Sequence, residues 1–175
     1  MGLENNYISV PFHWSGGVLG ITIITLVVLI GSGFYLESLK WPTIMVWLKY
    51  LLTVILLTTI IAGVFYMPIR LKANNEKIEV KRLFCSLEVP LNEIVEIKQL
   101  SKFDMDGSIR TFGSGGLFGY LGRFKNDRLG NYTMYATELN NLILIRTNNK
   151  KYVFSCSRSK EFVEYVNSNI PRQSK

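Results

Sequence analysis

Two apolar runs near the N-terminus, residues 17–36 and 43–69, constrain this chain most, because they decide which solvent every other residue meets. The first, opened by Gly17 and closed by Leu36, is uncharged over about 20 residues, the length a helix rising ~1.5 Å per residue needs to cross ~30 Å of hydrocarbon. The second, bounded by Thr43 and Ile69, carries one charge, Lys49. Its methylene stem can lie along a helix while the ammonium reaches for the headgroups. Only residues 37–42 separate the runs, so a transmembrane hairpin over 16–69 is expected, with both termini on one side of the membrane. Residues 1–15 then read as a lead-in whose Tyr7, Phe12, His13 and Trp14 suit the headgroup layer.

Charge chooses the side. Of the 20 Lys and Arg, all but Lys40 and Lys49 lie from Arg70 onward, and Arg70, Lys72, Lys77, Lys81 and Arg82 crowd the exit of the second run. Positive flanks stay in the cytoplasm, which places both termini and the C-terminal segment there. No Lys or Arg precedes Lys40, so the first run lacks the basic opening of a cleavable signal peptide. Met1-Gly2 lacks the Ser or Thr that myristoylation wants, having Asn6 at that position. Cys85 and Cys156 lie in short β-like stretches of a reducing compartment and are expected as small buried hydrophobes.

Past Pro68 the apolar period changes to two. Residues 77–81 alternate, and 83–89, 94–100, 142–146 and 151–155 are short apolar or β-branched runs. Asn74-Asn75 and Asn148-Asn149 supply turns, the latter joining the last two runs as a hairpin, and Asp104-x-Asp106-Gly107 supplies another. Ser157 or Ser159 can cap a final helix that carries Phe162, Val163, Val166 and Ile170 on one face, with Pro171 as its stop. About seven antiparallel strands and one helix predict a bent sheet plugged by the helix's apolar stripe, a domain over 70–171 with a tail at 172–175.

Residues 71–80, LKANNEKIEV, and 89–97, VPLNEIVEI, resemble the opening strands of bacterial pleckstrin-homology (PH-like) domains. More specific is 110–124, RTFGSGGLFGYLGRF, continued by Leu129-Gly130, by Tyr135-Ala136-Thr137 and by 141–147, NLILIRT. This pattern is similar to a bacterial membrane-associated PH-domain family. The resemblance covers roughly 70–170 and implies a seven-stranded barrel capped by a helix; joined to the hairpin expected from the apolar runs, this leads to the expectation of a multi-pass protein of the bacterial inner membrane. It implies no particular activity.

Gly113, Gly115, Gly116, Gly119 and Gly122 fall within ten positions, interleaved with Phe112, Phe118, Tyr120 and Phe124. Glycine is costly in a strand, so something local requires it. One reading is architectural: bulges, bends and close backbone approach. The other is a binding surface, with bare amides forming an anion nest and Arg110, Arg123, Lys125 and Arg128 supplying charge for an anionic lipid headgroup, or with the surface contacting a protein. Architecture is favoured, and the stretch from Arg110 to Lys125 is the candidate motif.

Familiar chemistry is missing from it. No Lys follows a glycine as a P-loop requires, and Phe118 stands where a dinucleotide fingerprint needs its last Gly. Ser114 lacks the glycine two residues earlier of a nucleophile elbow, and no histidine follows His13 to act as base. Asp104, Asp106 and Ser108 begin like a calcium loop, but Gly115 replaces its closing glutamate. Asn131-Tyr132-Thr133 is a glycosylation sequon by chance, since a cytoplasmic segment never meets that machinery. The net charge of +7 is spread singly along strands and turns, which speaks against nucleic acid. The expectation is therefore a membrane-anchored, non-catalytic binding or scaffolding module without cofactor or metal, for a protein partner or anionic lipid headgroups. An enzyme acting on a phosphorylated or lipid substrate through the glycine-rich stretch is the alternative.

Overall fold

The structure is a computed structural model, and it describes residues 7–170. Met1, Gly2, Asn6, Pro171 and the tail at 172–175 lie outside the described residues. The chain opens with a strand, β1 (Tyr7–Pro11), and then enters helix α1 (Gly16–Ser38) through Ser15, whose side chain accepts from the Val18 amide as an N-cap. A single 3-10 turn (Thr43–Met45) leads into α2 (Val46–Tyr66). Both helices are long and apolar enough to cross a membrane. Lys49 turns back toward the connection and pairs with the Glu37 carboxylate at 2.6 Å.

The helix ends before the apolar run does. Met67 caps α2, and Pro68 opens β2 (Pro68–Asn74), so Ile69 belongs to a strand and not to the second helix. Proline cannot donate the next helical hydrogen bond, while its fixed φ suits the first position of a strand.

β1 and β2 pair antiparallel, with Pro11 opposite Arg70 and Tyr7 opposite Asn74. The helical hairpin is thus inserted between two neighbouring strands of one sheet. This corrects the reading of residues 1–15 as an interfacial lead-in: Ile8, Val10 and Phe12 are buried in the domain core. It also requires both outer ends of the helices to meet at one edge, since paired strands lie ~5 Å apart.

β3 (Lys77–Arg82) and β4 (Ser86–Pro90) complete a four-stranded antiparallel sheet in the order β1-β2-β3-β4. Asn74 makes the β2–β3 turn, its Oδ1 accepting from the Glu76 and Lys77 amides. A second sheet contains β5 (Ile94–Leu100), β6 (Ile109–Gly116), β7 (Gly119–Asn126), β8 (Gly130–Ala136), β9 (Leu142–Thr147) and β10 (Lys151–Ser155). Its order is β5-β9-β10-β8-β7-β6, and β8 and β10 run parallel. The described residues therefore hold ten strands in two sheets where about seven antiparallel ones were expected. β1 and the β6–β7 hairpin account for much of the difference.

The alternation on β9 divides two cores. Ile143 and Ile145 face the four-stranded sheet and α3 (Ser159–Asn169), whereas Leu142 and Leu144 face Phe124, Tyr132, Met134 and Val153 on the opposite side. Phe162 and Val166 of α3 are fully enclosed in the first core, which is the expected plug. The expected cap differs: Arg158 occupies the N-cap position without a side-chain bond, and Ser159 instead accepts from Gln99 at 2.7 Å. Cys156 is buried, but Cys85 is exposed in the β3–β4 loop, contrary to expectation.

Candidate functional site

The glycine-rich stretch forms one long hairpin, β6–β7, at the free edge of the larger sheet. Its glycines do mechanical work at a defined place. Gly113 and Gly122 face each other across the ladder with φ of 108° and 123°, a region L side chains rarely adopt. A Cβ on Gly122 would overlap the Phe112 carbonyl and reach within 3.0 Å of the Gly113 Cα. The two strands close to this distance only with both side chains absent. A register shift between Arg110 and Phe112 adds a bulge and increases the local twist.

The tip of the hairpin, Leu117-Phe118, meets the helices. Phe118 sits at φ 57°, nearly buried, with its ring against the bare Cα of Gly63 on α2. Thr22 of α1 serves both strands of the tip: its hydroxyl accepts from the Phe118 amide at 3.0 Å and donates to the Gly116 carbonyl at 3.4 Å. Ser114 donates to the Leu117 carbonyl at 2.6 Å, which leaves it a turn-closing hydroxyl. The candidate motif thus clamps the domain onto its own helical hairpin, through a contact between residues about a hundred positions apart.

The motif's charges do not converge. Direct partners in a ladder share a face. Arg123 therefore lies with Phe112, and Lys125 with Ile109, on one face, while Arg110 lies with Phe124 on the other. Arg110 drapes across Gly115 there, its Nη1 3.1 Å from where a Cβ would stand. Arg128 is remote, in the β7–β8 turn, its guanidinium 3.0 Å above the Phe103 ring centroid. Ile109 and Phe112 remain 70% and 75% exposed beside Arg123 and Lys125. Among the described residues none of Arg110, Arg123 or Lys125 has an ion-pair partner.

Other polar groups gather where the helices join the domain. Arg82 is sandwiched with its guanidinium carbon 5.8 Å from the Tyr66 ring centroid and 5.5 Å from that of Tyr135. Burial pushes the Tyr135 hydroxyl above its ordinary value, and the Arg82 charge partly opposes this. Glu138 is buried, 3.6 Å from His13 Nδ1, and its Oε1 has no hydrogen-bond partner among the described residues. His13 therefore has an acidic neighbour that spacing along the sequence did not reveal.

Two open grooves of ≈ 360 and ≈ 390 Å³ lie elsewhere, one along β1–β2–β3 at Tyr7, Lys72 and Glu79, the other between β5 and α3 at Gln99 and Ser159. Neither touches the glycine-rich hairpin. Among the described residues no three His, Cys, Asp or Glu approach closely enough to hold a metal ion.

The sequence model of a family described as "Bacterial PH domain" matches residues 69–170, more than half of the chain. No curated protein and no solved structure matches the chain.

Proposed function

Because the chain belongs to the bacterial PH domain family, whose fold suggests a non-catalytic binding module, we propose that it is a membrane-anchored docking module for a protein partner. The hairpin of α1 and α2 crosses the bacterial inner membrane, both termini are cytoplasmic, and the domain completed by β1 stands at the inner leaflet. The helices support the anchoring: only 11% and 0% of their apolar windows are buried, so they are not core helices of a water-soluble fold.

The observation that carries the docking role is the face of β6–β7 bearing Ile109, Phe112, Arg123 and Lys125, exposed at the unpaired edge of a sheet. A free edge strand that exposes Ile109 and Phe112, with the cations Arg123 and Lys125 beside them on β7, suits an added strand or an acidic, partly apolar protein surface. Distance favours protein over lipid here. Ile109 and Lys125 lie roughly 23 Å along the strand from Gly116 at the clamp, beyond the ~5–8 Å depth of a headgroup layer.

Anionic headgroups are the second reading, favoured by Arg123, the cation of the hairpin that stands nearest the tip; like Arg110 it lacks an acidic partner among the described residues. Co-purification from mild detergent tests the first reading, with capture of a partner abolished by Phe112→Glu. Tight binding of the isolated, monodisperse protein to anionic vesicles, lost in Arg110→Ala/Arg123→Ala and insensitive to Phe112→Glu, would favour the second. A thermal shift with nucleotide would overturn the non-catalytic reading.

A further inference from the structure

We propose that the domain does not hang below the bilayer but is sunk into it by three loops that ring the roots of the helices, with the headgroup–acyl boundary as the surface they bind. The inference rests on the reading of α1 and α2 as membrane spans and adds where the bilayer edge falls on the domain.

Helix length sets that edge. The 23 residues of α1 make about 34 Å of helix against ~30 Å of hydrocarbon. Thr22, six residues into the helix, stands ~9 Å from its start. Even if all the excess length projects on the domain side, the clamp at Thr22 lies roughly 5 Å inside the hydrocarbon edge. The β6–β7 tip is built for that depth. Backbone groups in lipid need partners within the protein, and the Thr22 hydroxyl accepts from the Phe118 amide and donates to the Gly116 carbonyl, while Ser114 serves the Leu117 carbonyl.

Two further loops adjoin the roots of the helices. The β3–β4 loop presents Leu83 and Phe84, 51% and 64% exposed, and the Phe84 ring stacks at 4.0 Å on Phe65 in the last turn of α2. The β8–β9 loop presents exposed Leu139, and it is tied to the root of α1 by the Ser15 amide donating to the Thr137 carbonyl at 3.0 Å and by the Thr137 hydroxyl donating to the His13 carbonyl at 2.7 Å. Apolar side chains left exposed on loops fastened to both helix roots have the bilayer as their adjoining apolar phase. Behind them, paired Arg70 and Lys81 are exposed and have no ion-pair partner among the described residues, which suits anionic headgroups just outside the boundary.

The test uses the full chain in vesicles of mixed zwitterionic and anionic phospholipid. One added cysteine at a time is placed in a Cys85→Ser background, where the remaining Cys156 is buried, as Leu83→Cys, Leu139→Cys, Val27→Cys in mid-helix, and Glu76→Cys in the β2–β3 turn at the opposite end of the sheet. Each carries an environment-sensitive fluorophore, and quenching is read with lipid bearing a nitroxide near the carbonyl end of its acyl chain. The proposal expects probes at 83 and 139 to be quenched at least about twofold more than the probe at 76, as for groups ~5–10 Å below the headgroups. Quenching at 27 with probes at 83 and 139 matching 76 overturns the proposal and leaves the spans intact. No quenching at 27 overturns the spans and the proposal together. Probes at 83 and 139 shielded from aqueous iodide yet not quenched by the lipid would place a protein on these loops, and that also overturns it.

Discussion

Replacing Gly63 by Ala puts a methyl group where the Phe118 ring already is. The Phe118 Cγ lies 3.5 Å from that position, and Cδ2 and Cε2 lie closer still. Carbon–carbon contacts settle near ~3.5–4.0 Å, so the ring must retreat by about 1 Å, and a gap of that size forfeits up to half of each contact's attraction. Overpacking of this kind costs ~1–3 kcal/mol. Phe118→Ala empties the notch instead. Deleting that nearly buried ring costs up to ~3–5 kcal/mol.

The two changes must interact. With the ring gone, the methyl introduced by Gly63→Ala meets nothing, so the double variant should be no less stable than Phe118→Ala alone. That non-additivity amounts to a coupling of ~1–3 kcal/mol. Cys156 is the built-in reporter: it is buried, and in a Cys85→Ser background it labels with a thiol-reactive fluorophore only as the domain opens. Each kcal/mol moves the midpoint by about 2–4 °C in a chain of this size, so Gly63→Ala should lower it by several degrees. Additive single and double variants would refute the clamp, because they would mean that the methyl and the ring never compete for one space.

Three further outcomes follow from the same geometry. Gly122→Ala, forced at φ 123° against the Phe112 carbonyl, adds ~1–3 kcal/mol of overpacking to ~1–3 kcal/mol of backbone strain and should destabilise by about 3 kcal/mol or more, whereas Gly107→Ala, at φ 68° with open space around it, should cost only ~1–2 kcal/mol; thermal midpoints of both variants decide it. Phe162→Ala, deleting a fully enclosed ring of α3 from the first core, should cost ~3–5 kcal/mol in a denaturant titration. Burial holds the Cys156 thiol up at about 11 against an ordinary value of 9.0, so the unfolded chain releases its proton first as pH rises. Stability should therefore be intact below pH 9 and decline between 9 and 11, and in Cys156→Ala this part of the decline should vanish.

What the sequence reveals and what it hides divide along locality. The two helices, the Asn74 turn, the β9–β10 hairpin and the apolar stripe of α3 are set by neighbours a few positions apart, and periodicity finds them. β1 escapes because Tyr7–Pro11 is only five residues long and its partner β2 lies on the far side of two helices. No local pattern signals that pairing. The glycine cluster announces a geometric demand without its form: that Gly113 and Gly122 face each other follows from register, and that Phe118 seeks Gly63 follows from tertiary packing. Gly63 itself is one small residue in an apolar helix, with nothing local to mark it.

The exposure of Cys85 escapes for a related reason. Leu83, Phe84 and Cys85 are apolar enough to look like a buried strand, yet they form a loop at the end of a sheet, where Phe84 packs on a helix and not in the core. The basic residues of the motif look like one group because sequence proximity does not fix the face. Arg110, Arg123 and Lys125 belong to one hairpin, but the bulge and the ladder send Arg110 to one side and the other two to the opposite side.

The most direct test of the clamp is a cross-link between the positions that form it. Gly63→Cys and Phe118→Cys in a Cys85→Ser background place two thiols where the notch and the ring now touch, within reach of the ~3.5–4.5 Å Cβ separation of a disulfide. In isolated membranes, mild oxidation should convert most of the doubly substituted chain to an intramolecularly bridged form of altered electrophoretic mobility, reversed by reductant. Two thiols that label freely but never bridge would mean that the glycine-rich hairpin does not rest on the helices.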